Sequence, residues 1–293
     1  MLKLVHDATA DAVGENEPQT MVSTFPSERT AQLRLAQLRR LRVVDRFRPL
    51  VATGSAPGHW ILDSLGAAVL AAEDGVEVSE LPWRRDRSIS LAHSGQLRHV
   101  LTVNGFFCSL LAEGRVRADS DLVIWWSARR CAAAWGDIVR PDGYGVWAEA
   151  GRQIAFLLEY RDGRDQAGQL AERLEAYARL FDATGQRVPV LFAFPGPSQE
   201  AQARKVLSHP GVPVATAALG PGQSPADAVW LWIRGRDGKE RSRLITLGHL
   251  AGSGPRWPDR DLECPKPQPG GSVEVGGEHP RHWRGATLRF GRC

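Results

Sequence analysis

The stretch from Arg140 to Tyr177 constrains this chain more than any other. It reads Arg140-Pro141-Asp142-Gly143-Tyr144-Gly145-Val146-Trp147, then a turn, then Ile154-Ala155-Phe156-Leu157-Leu158-Glu159-Tyr160-Arg161. Two apolar runs flanking a turn predict a β-hairpin. A capping residue, Asp165, and an apolar stripe at Leu170, Leu174, Tyr177, Leu180 and Phe181 predict a helix directly after it. An Asp at the head of one strand and a Glu at the end of the next is how a metal-dependent nuclease core holds Mg²⁺, sharing one hard cation through oxygen. Asp142 and Glu159 stand at those places, and Mg²⁺ is the cofactor they would take. Two residues after Glu159 stands Arg161, a fixed cation that cannot ligate metal.

The rest of the second half alternates strands and helices. Val188–Phe194, Val212–Ala217 and Val229–Ile233 read as strands, Ser198–Leu207 as a helix, and Leu122–Trp126 as a strand or a helix start. Such alternation predicts an α/β core with both sheet faces covered. A helix marked by Leu97, Val100, Leu101, Asn104, Phe107, Cys108 and Leu111 precedes it. From Ala251 onward Gly and Pro dominate, and residues 251–293 read as a flexible tail.

Charge singles out the first third. The chain carries only +4 overall, yet the interval Arg29–Arg48 holds seven arginines against one acid, Asp45. Ser27 is a good N-cap with Glu28 in the first turn, and Ala31, Leu35 and Leu38 keep helical period. The predicted helix, Ser27–Leu41, is thus apolar on one side and basic on the other. Strands at Val43–Phe47 and His59–Leu62, a turn at Thr53–Gly58 and a helix at Ser64–Glu73 follow. Helix, strand, turn, strand is the order of a winged helix, with Ser27–Leu41 as the recognition helix and the turn as the wing. A concentrated basic stripe fits a polyanion, here double-stranded DNA. Arg29, Arg34, Arg39 and Arg40 are the expected DNA contacts, and Arg46 and Arg48 on the adjacent strand would reach phosphate. A second basic knot, Arg84, Arg85 and Arg87, lies in the polar connection that comes next.

Other classes find little support. No apolar run reaches membrane-spanning length, so no membrane partner is expected. Met1–Glu17 lacks the basic start and apolar core of a secretory signal, and Cys108, Cys131, Cys264 and Cys293 are widely spaced, which suits reduced thiols and a cytoplasmic protein. Cys264, His279, His282 and Cys293 would supply two Cys and two His for zinc, without the tight Cys pair of structural sites.

Several motifs together resemble one family. Phe25-Pro26-Ser27-Glu28-Arg29-Thr30-Ala31, Val44-Asp45-Arg46-Phe47-Arg48-Pro49, Gly54-Ser55-Ala56-Pro57-Gly58-His59-Trp60, Trp125-Trp126-Ser127, Arg140-Pro141-Asp142-Gly143-Tyr144 and Phe156-Leu157-Leu158-Glu159-Tyr160 occur in the order seen in the replication-relaxation family of actinobacterial and plasmid-borne proteins. The resemblance spans about residues 22–250. It implies a winged helix followed by a restriction-endonuclease-like α/β domain: a mixed sheet flanked by helices, preceded by a small and partial winged-helix domain. With the weakly patterned residues 1–22, where Asp11–Thr20 reads as loop, the expected layout is a poorly ordered 1–22, a DNA-binding domain at 23–80, the endonuclease-like domain at 91–250 and the tail at 251–293. Asp142 and Glu159 match the family pattern. Ala128 stands where relatives usually carry an acid, Arg161 where they show the Asp of Glu-x-Asp, and Arg173 where they have a Lys. The expected function is therefore DNA binding linked to plasmid or mobile-element replication, with a nuclease-like centre degenerate in catalysis. The alternatives are an active Mg²⁺-dependent nickase or nuclease, and a non-enzymatic adaptor in which the winged helix forms a homodimer.

Overall fold

The computed structural model describes residues 13–14, 27–48, 58–81, 83–86, 96–162, 167–207, 211–220, 222–233 and 240–250. The chain divides into two compact units, with the boundary between Ala118 and Asp119.

In the first unit, helix α1 (Glu28–Arg40) begins where Ser27 Oγ accepts the Thr30 N–H at 3.2 Å. Its apolar stripe then buries Ala31 and Leu35 against Val43, Val44 and Trp60, each large side chain contributing about 1.5–3 kcal/mol. Arg42, with φ 60°, ends the helix in the left-handed region, and the Val43 N–H closes the turn on the Leu38 carbonyl at 2.9 Å. A non-glycine residue there costs roughly 1–2 kcal/mol, so neighbouring contacts must hold it.

Three short strands follow one sheet order, β1 (Val13–Gly14), β3 (His59–Leu62) and β2 (Val44–Phe47), all antiparallel. Helix α2 (Ser64–Asp74) starts on an Asp63 cap, its carboxylate accepting the Ser64 N–H at 2.7 Å, and ends at left-handed Gly75. Gly66 lets α2 lie close on the strands. A Cβ there would run into the Val43 carbonyl oxygen and come within 2.6 Å of Leu62 Cδ1. Helix α3 (Leu97–Val116) packs Leu97 and Leu101 on Ile61 and Phe47.

The second unit is built on a seven-stranded mixed sheet. Its strands are β4 (Ser120–Ser127), β5 (Gly143–Glu149), β6 (Arg152–Tyr160), β7 (Val190–Phe194), β8 (Val214–Ala218), β9 (Trp230–Trp232) and β10 (Arg241–Ser242), lying in that spatial order. The β6–β7 and β7–β8 pairs are parallel and the others antiparallel. The parallel pairs need crossovers, which helices α5 (Ala167–Thr184) and α6 (Pro197–Val206) supply. All five residues of β7 are buried, as expected of a central strand covered on both faces. Glu200, buried on α6, accepts Thr216 Oγ1 at 2.8 Å, the Ala218 N–H at 3.1 Å and Arg241 Nη2 at 2.9 Å, which ties α6 to β8 and β10.

The expected mixed α/β architecture is observed, and the differences from the sequence reading are local. Val13–Gly14, expected in a loop, is a strand, because a two-residue pairing leaves no pattern to read. Leu122–Trp126 resolves as strand β4, with a bulge between Leu122 and Ile124. Directly after it comes helix α4 (Ala128–Trp135), capped by Ser127. Strand β7 starts at Val190 rather than Val188; Pro189 supplies only a carbonyl, which accepts the Leu157 N–H at 3.0 Å. The expected wing residues 53–57, the Asp165 cap, the tail 251–293 and its Cys264, His279, His282 and Cys293 lie outside the described residues.

Candidate functional site

Two groups of side chains answer to the sequence expectations, one in each unit. In the first unit Arg29, Arg34, Arg39 and Arg40 all stand exposed on α1, outside its buried stripe. Arg48 is exposed after β2, whereas Arg46 is half-buried with its guanidinium 5.6 Å from the Trp60 ring centroid, in cation–π range. Beside α1 lies an ion-pair network. Arg39 Nε is 3.4 Å from Asp45 Oδ1, and Arg85 Nη2 donates to Asp45 Oδ2 at 2.9 Å. Arg85 Nε is 3.5 Å from Asp63 Oδ1, and Arg42 Nε donates to Asp63 Oδ2 at 3.0 Å. Burial pushes the Asp63 carboxyl up, but the Arg42 hydrogen bond, the Ser64 N–H and the charges of Arg42 and Arg85 together hold it below its ordinary value.

In the second unit the hairpin register pairs Gly143 with Leu158, which puts Asp142 across from Glu159. Two hydrogen bonds continue that register: the Asp142 N–H donates to the Leu158 carbonyl at 3.0 Å, and Asp142 Oδ2 accepts the Tyr160 N–H at 2.8 Å. The sequence-predicted pair is therefore brought together on neighbouring chain segments. Asp142 is half-buried and Glu159 fully buried.

The surroundings of Glu159 decide its chemistry. Arg173, from α5, places Nε 2.8 Å and Nη2 2.7 Å from Oε1. Arg161 Nη2 donates to Oε2 at 2.7 Å, and the Tyr177 hydroxyl donates to Oε1. Arg173 also donates to the Arg140 carbonyl just ahead of Asp142. Donors converge on both oxygens, which is the arrangement of a carboxylate. Burial and the charge of Asp142 raise the Glu159 pKa, against the pull of Arg173, Arg161 and Tyr177. The Tyr177 hydroxyl is pushed well up by its own burial and by the Glu159 charge, and the buried Cys131 thiol by burial and Asp142. Neither is prepared to act as a base at neutral pH.

Mg²⁺ does not fit this donor set. A hard cation needs oxygens with lone pairs to spare, and Glu159 has given both of its oxygens to guanidinium and phenol donors. Among the described residues no group of three His, Cys, Asp or Glu is placed to hold a metal ion. Ala128, at the start of α4, offers no side-chain ligand. Asp162 is exposed, and Asp165 lies outside the described residues. Arg161 and Arg173 together bring two positive charges, the charge a divalent ion would have supplied. Arg173, which stands where relatives have a Lys, is not a solvated helix-surface residue: its side chain is three-quarters buried and pairs with Glu159. Arg173, Tyr177 and Arg85 are the site residues whose partners local sequence did not reveal.

Among the described residues no helix is long and apolar enough to cross a membrane. No curated protein and no solved structure matches the chain. A family model described as replication-relaxation matches residues 15–193, more than half of the 293 residues. The match takes in both the basic helix and the Asp142–Glu159 hairpin, so the role is replication-related, and the chain belongs to the replication-relaxation family.

Proposed function

We propose that this chain binds double-stranded DNA through its first unit, in the replication of a plasmid or other mobile element, and that its second unit is a restriction-endonuclease-like domain that does not cleave. The observation carrying the first part is the exposure of Arg29, Arg34, Arg39 and Arg40 on a helix whose other side is buried. Strands β2 and β3 follow that helix and pair with β1 in the order β1-β3-β2, which supports a winged-helix reading with α1 entering the groove. Arg48 extends the basic face toward the phosphates.

The second part rests on Glu159. Hydrolysis of a phosphodiester by a bound metal needs anionic ligands and an open position for the attacking water. Here the hairpin that would hold the metal is closed by Arg161, Arg173 and Tyr177. The fold of a nuclease-like core is kept, and its charge is balanced internally.

Supercoiled plasmid incubated with the protein in Mg²⁺ or Mn²⁺ tests both parts at once. The expected result is a retarded but un-nicked plasmid. Metal-dependent nicking that Asp142→Ala abolishes would restore the nuclease reading. A plasmid neither retarded nor nicked would point to a protein-interaction adaptor.

A further inference from the structure

Resting on the DNA-binding reading, we infer that Arg42 and Arg85 form, with Arg39, a second phosphate-contacting row beside helix α1. Five side chains alternate in sign along it: Arg39, Asp45, Arg85, Asp63, Arg42. The links are Arg39 Nε–Asp45 Oδ1 at 3.4 Å, Arg85 Nη2–Asp45 Oδ2 at 2.9 Å, Arg85 Nε–Asp63 Oδ1 at 3.5 Å and Arg42 Nε–Asp63 Oδ2 at 3.0 Å.

The row is layered. The side chains of Arg39, Arg85 and Arg42 are 53%, 46% and 64% exposed, while those of Asp45 and Asp63 are 25% and 5% exposed. The cations therefore lie outside and the anions beneath. Three guanidiniums meet solvent over two carboxylates, which leaves a net positive charge and a positive outer face. An isolated surface arginine must give up side-chain freedom to grip a phosphate. Here the carboxylates underneath hold the guanidiniums in place beforehand and leave further N–H donors on each for phosphate oxygens.

The backbone supports the same function. Arg42 occupies a left-handed position, φ 60°, where Gly or Asn is the ordinary choice. Asp63 holds its side chain there while capping α2. Arg85 comes from a segment forty residues beyond Asp45 and would bring that segment onto the DNA backbone alongside α1. The partner this row fits is the sugar-phosphate backbone of duplex DNA, read without regard to base sequence.

Binding of a fluorescent duplex across a salt series tests the row. Each phosphate contact contributes about 0.9 to the slope of log K against log salt. Arg42→Gln with Arg85→Gln should flatten the slope by about two and weaken binding roughly tenfold or more at moderate salt. Arg42→Lys with Arg85→Lys should keep most of the slope. On the parent chain, duplex should protect Arg42 and Arg85 from phenylglyoxal, read by peptide mass; this measurement does not depend on how a variant folds. If the Gln pair binds like the parent, or DNA leaves both arginines reactive, while Arg34→Ala with Arg40→Ala weakens binding, the row is wrong and the DNA-binding reading stands. A parent chain that binds no duplex overturns both.

Discussion

Arg173 and Glu159, fourteen residues apart in sequence, meet inside the second unit through two guanidinium nitrogens, Nε at 2.8 Å and Nη2 at 2.7 Å from the single oxygen Oε1. The contact joins helix α5 to strand β6 at the place where the proposed nuclease-like core would hold its metal. It turns a candidate catalytic carboxylate into the anchor of an ion-pair cluster.

Removing that anchor should be costly. Glu159→Gln leaves Arg161 and Arg173 facing each other, each about three-quarters buried, without an anion between them. Breaking a buried pair by deleting one partner costs about 3–5 kcal/mol. Urea unfolding should show a loss of that order, and Glu159→Gln combined with Arg173→Met should recover part of it. A loss under about 1 kcal/mol would mean the cluster behaves like a surface salt bridge.

The same cluster makes a prediction about metal. With Glu159 occupied, millimolar Mg²⁺ and EDTA should give the parent chain the same Tm, since a ligand stabilises only when it binds the folded state. Arg161→Asp removes one competing cation and adds a carboxylate near Asp142. That variant should gain Tm on adding Mg²⁺, and Mg²⁺ should restore stability that the substitution costs. A parent chain stabilised by Mg²⁺, with the effect lost in Asp142→Ala, would contradict the reading of the site.

Acid should act on the first unit through Asp63. Burial raises its pKa, but Arg42, the Ser64 N–H and Arg85 outweigh that and leave it below its ordinary 3.8. A carboxyl with a lowered folded-state pKa stabilises the fold fully above its unfolded value and loses that contribution as pH falls through the folded value. Stability of the first unit should therefore decline as pH drops below about 4, from the ordinary aspartate value. Asp63→Asn keeps a capping oxygen, so it should lower neutral-pH stability and flatten the acid limb. An acid limb of unchanged steepness in the variant would assign the loss to other carboxylates.

How much of this was legible in the sequence depended on the distance over which each feature is written. Helix α1 was readable because its cap, Ser27, and its stripe, Ala31 and Leu35, lie within nine residues and follow local rules. The hairpin that brings Asp142 opposite Glu159 was readable for the same reason: two apolar runs and a turn are local. The partners of Glu159 were not. Arg173 and Tyr177 sit one helical turn apart on α5, and only the packing of α5 against the sheet aims both at one carboxylate. Tyr177 falls on the apolar stripe, so its periodicity announced burial and concealed a hydrogen bond. Arg85 was visible only as part of a basic knot, because its partners Asp45 and Asp63 are supplied by β2 and the α2 cap. Strand β1 exists because β3 offers an edge to pair with, and nothing in Val13–Gly14 itself specifies that.

Whether helix α1 faces DNA is read most directly from the salt dependence of duplex affinity for the parent chain and for Arg34→Ala with Arg39→Ala, measured over the same range of ionic strength. Log K should fall linearly with log salt, and the double variant should bind more weakly with a slope flatter by about two, at about 0.9 for each lost phosphate contact. A variant that binds duplex as the parent does, with the same slope, would show that helix α1 is not the DNA-facing element.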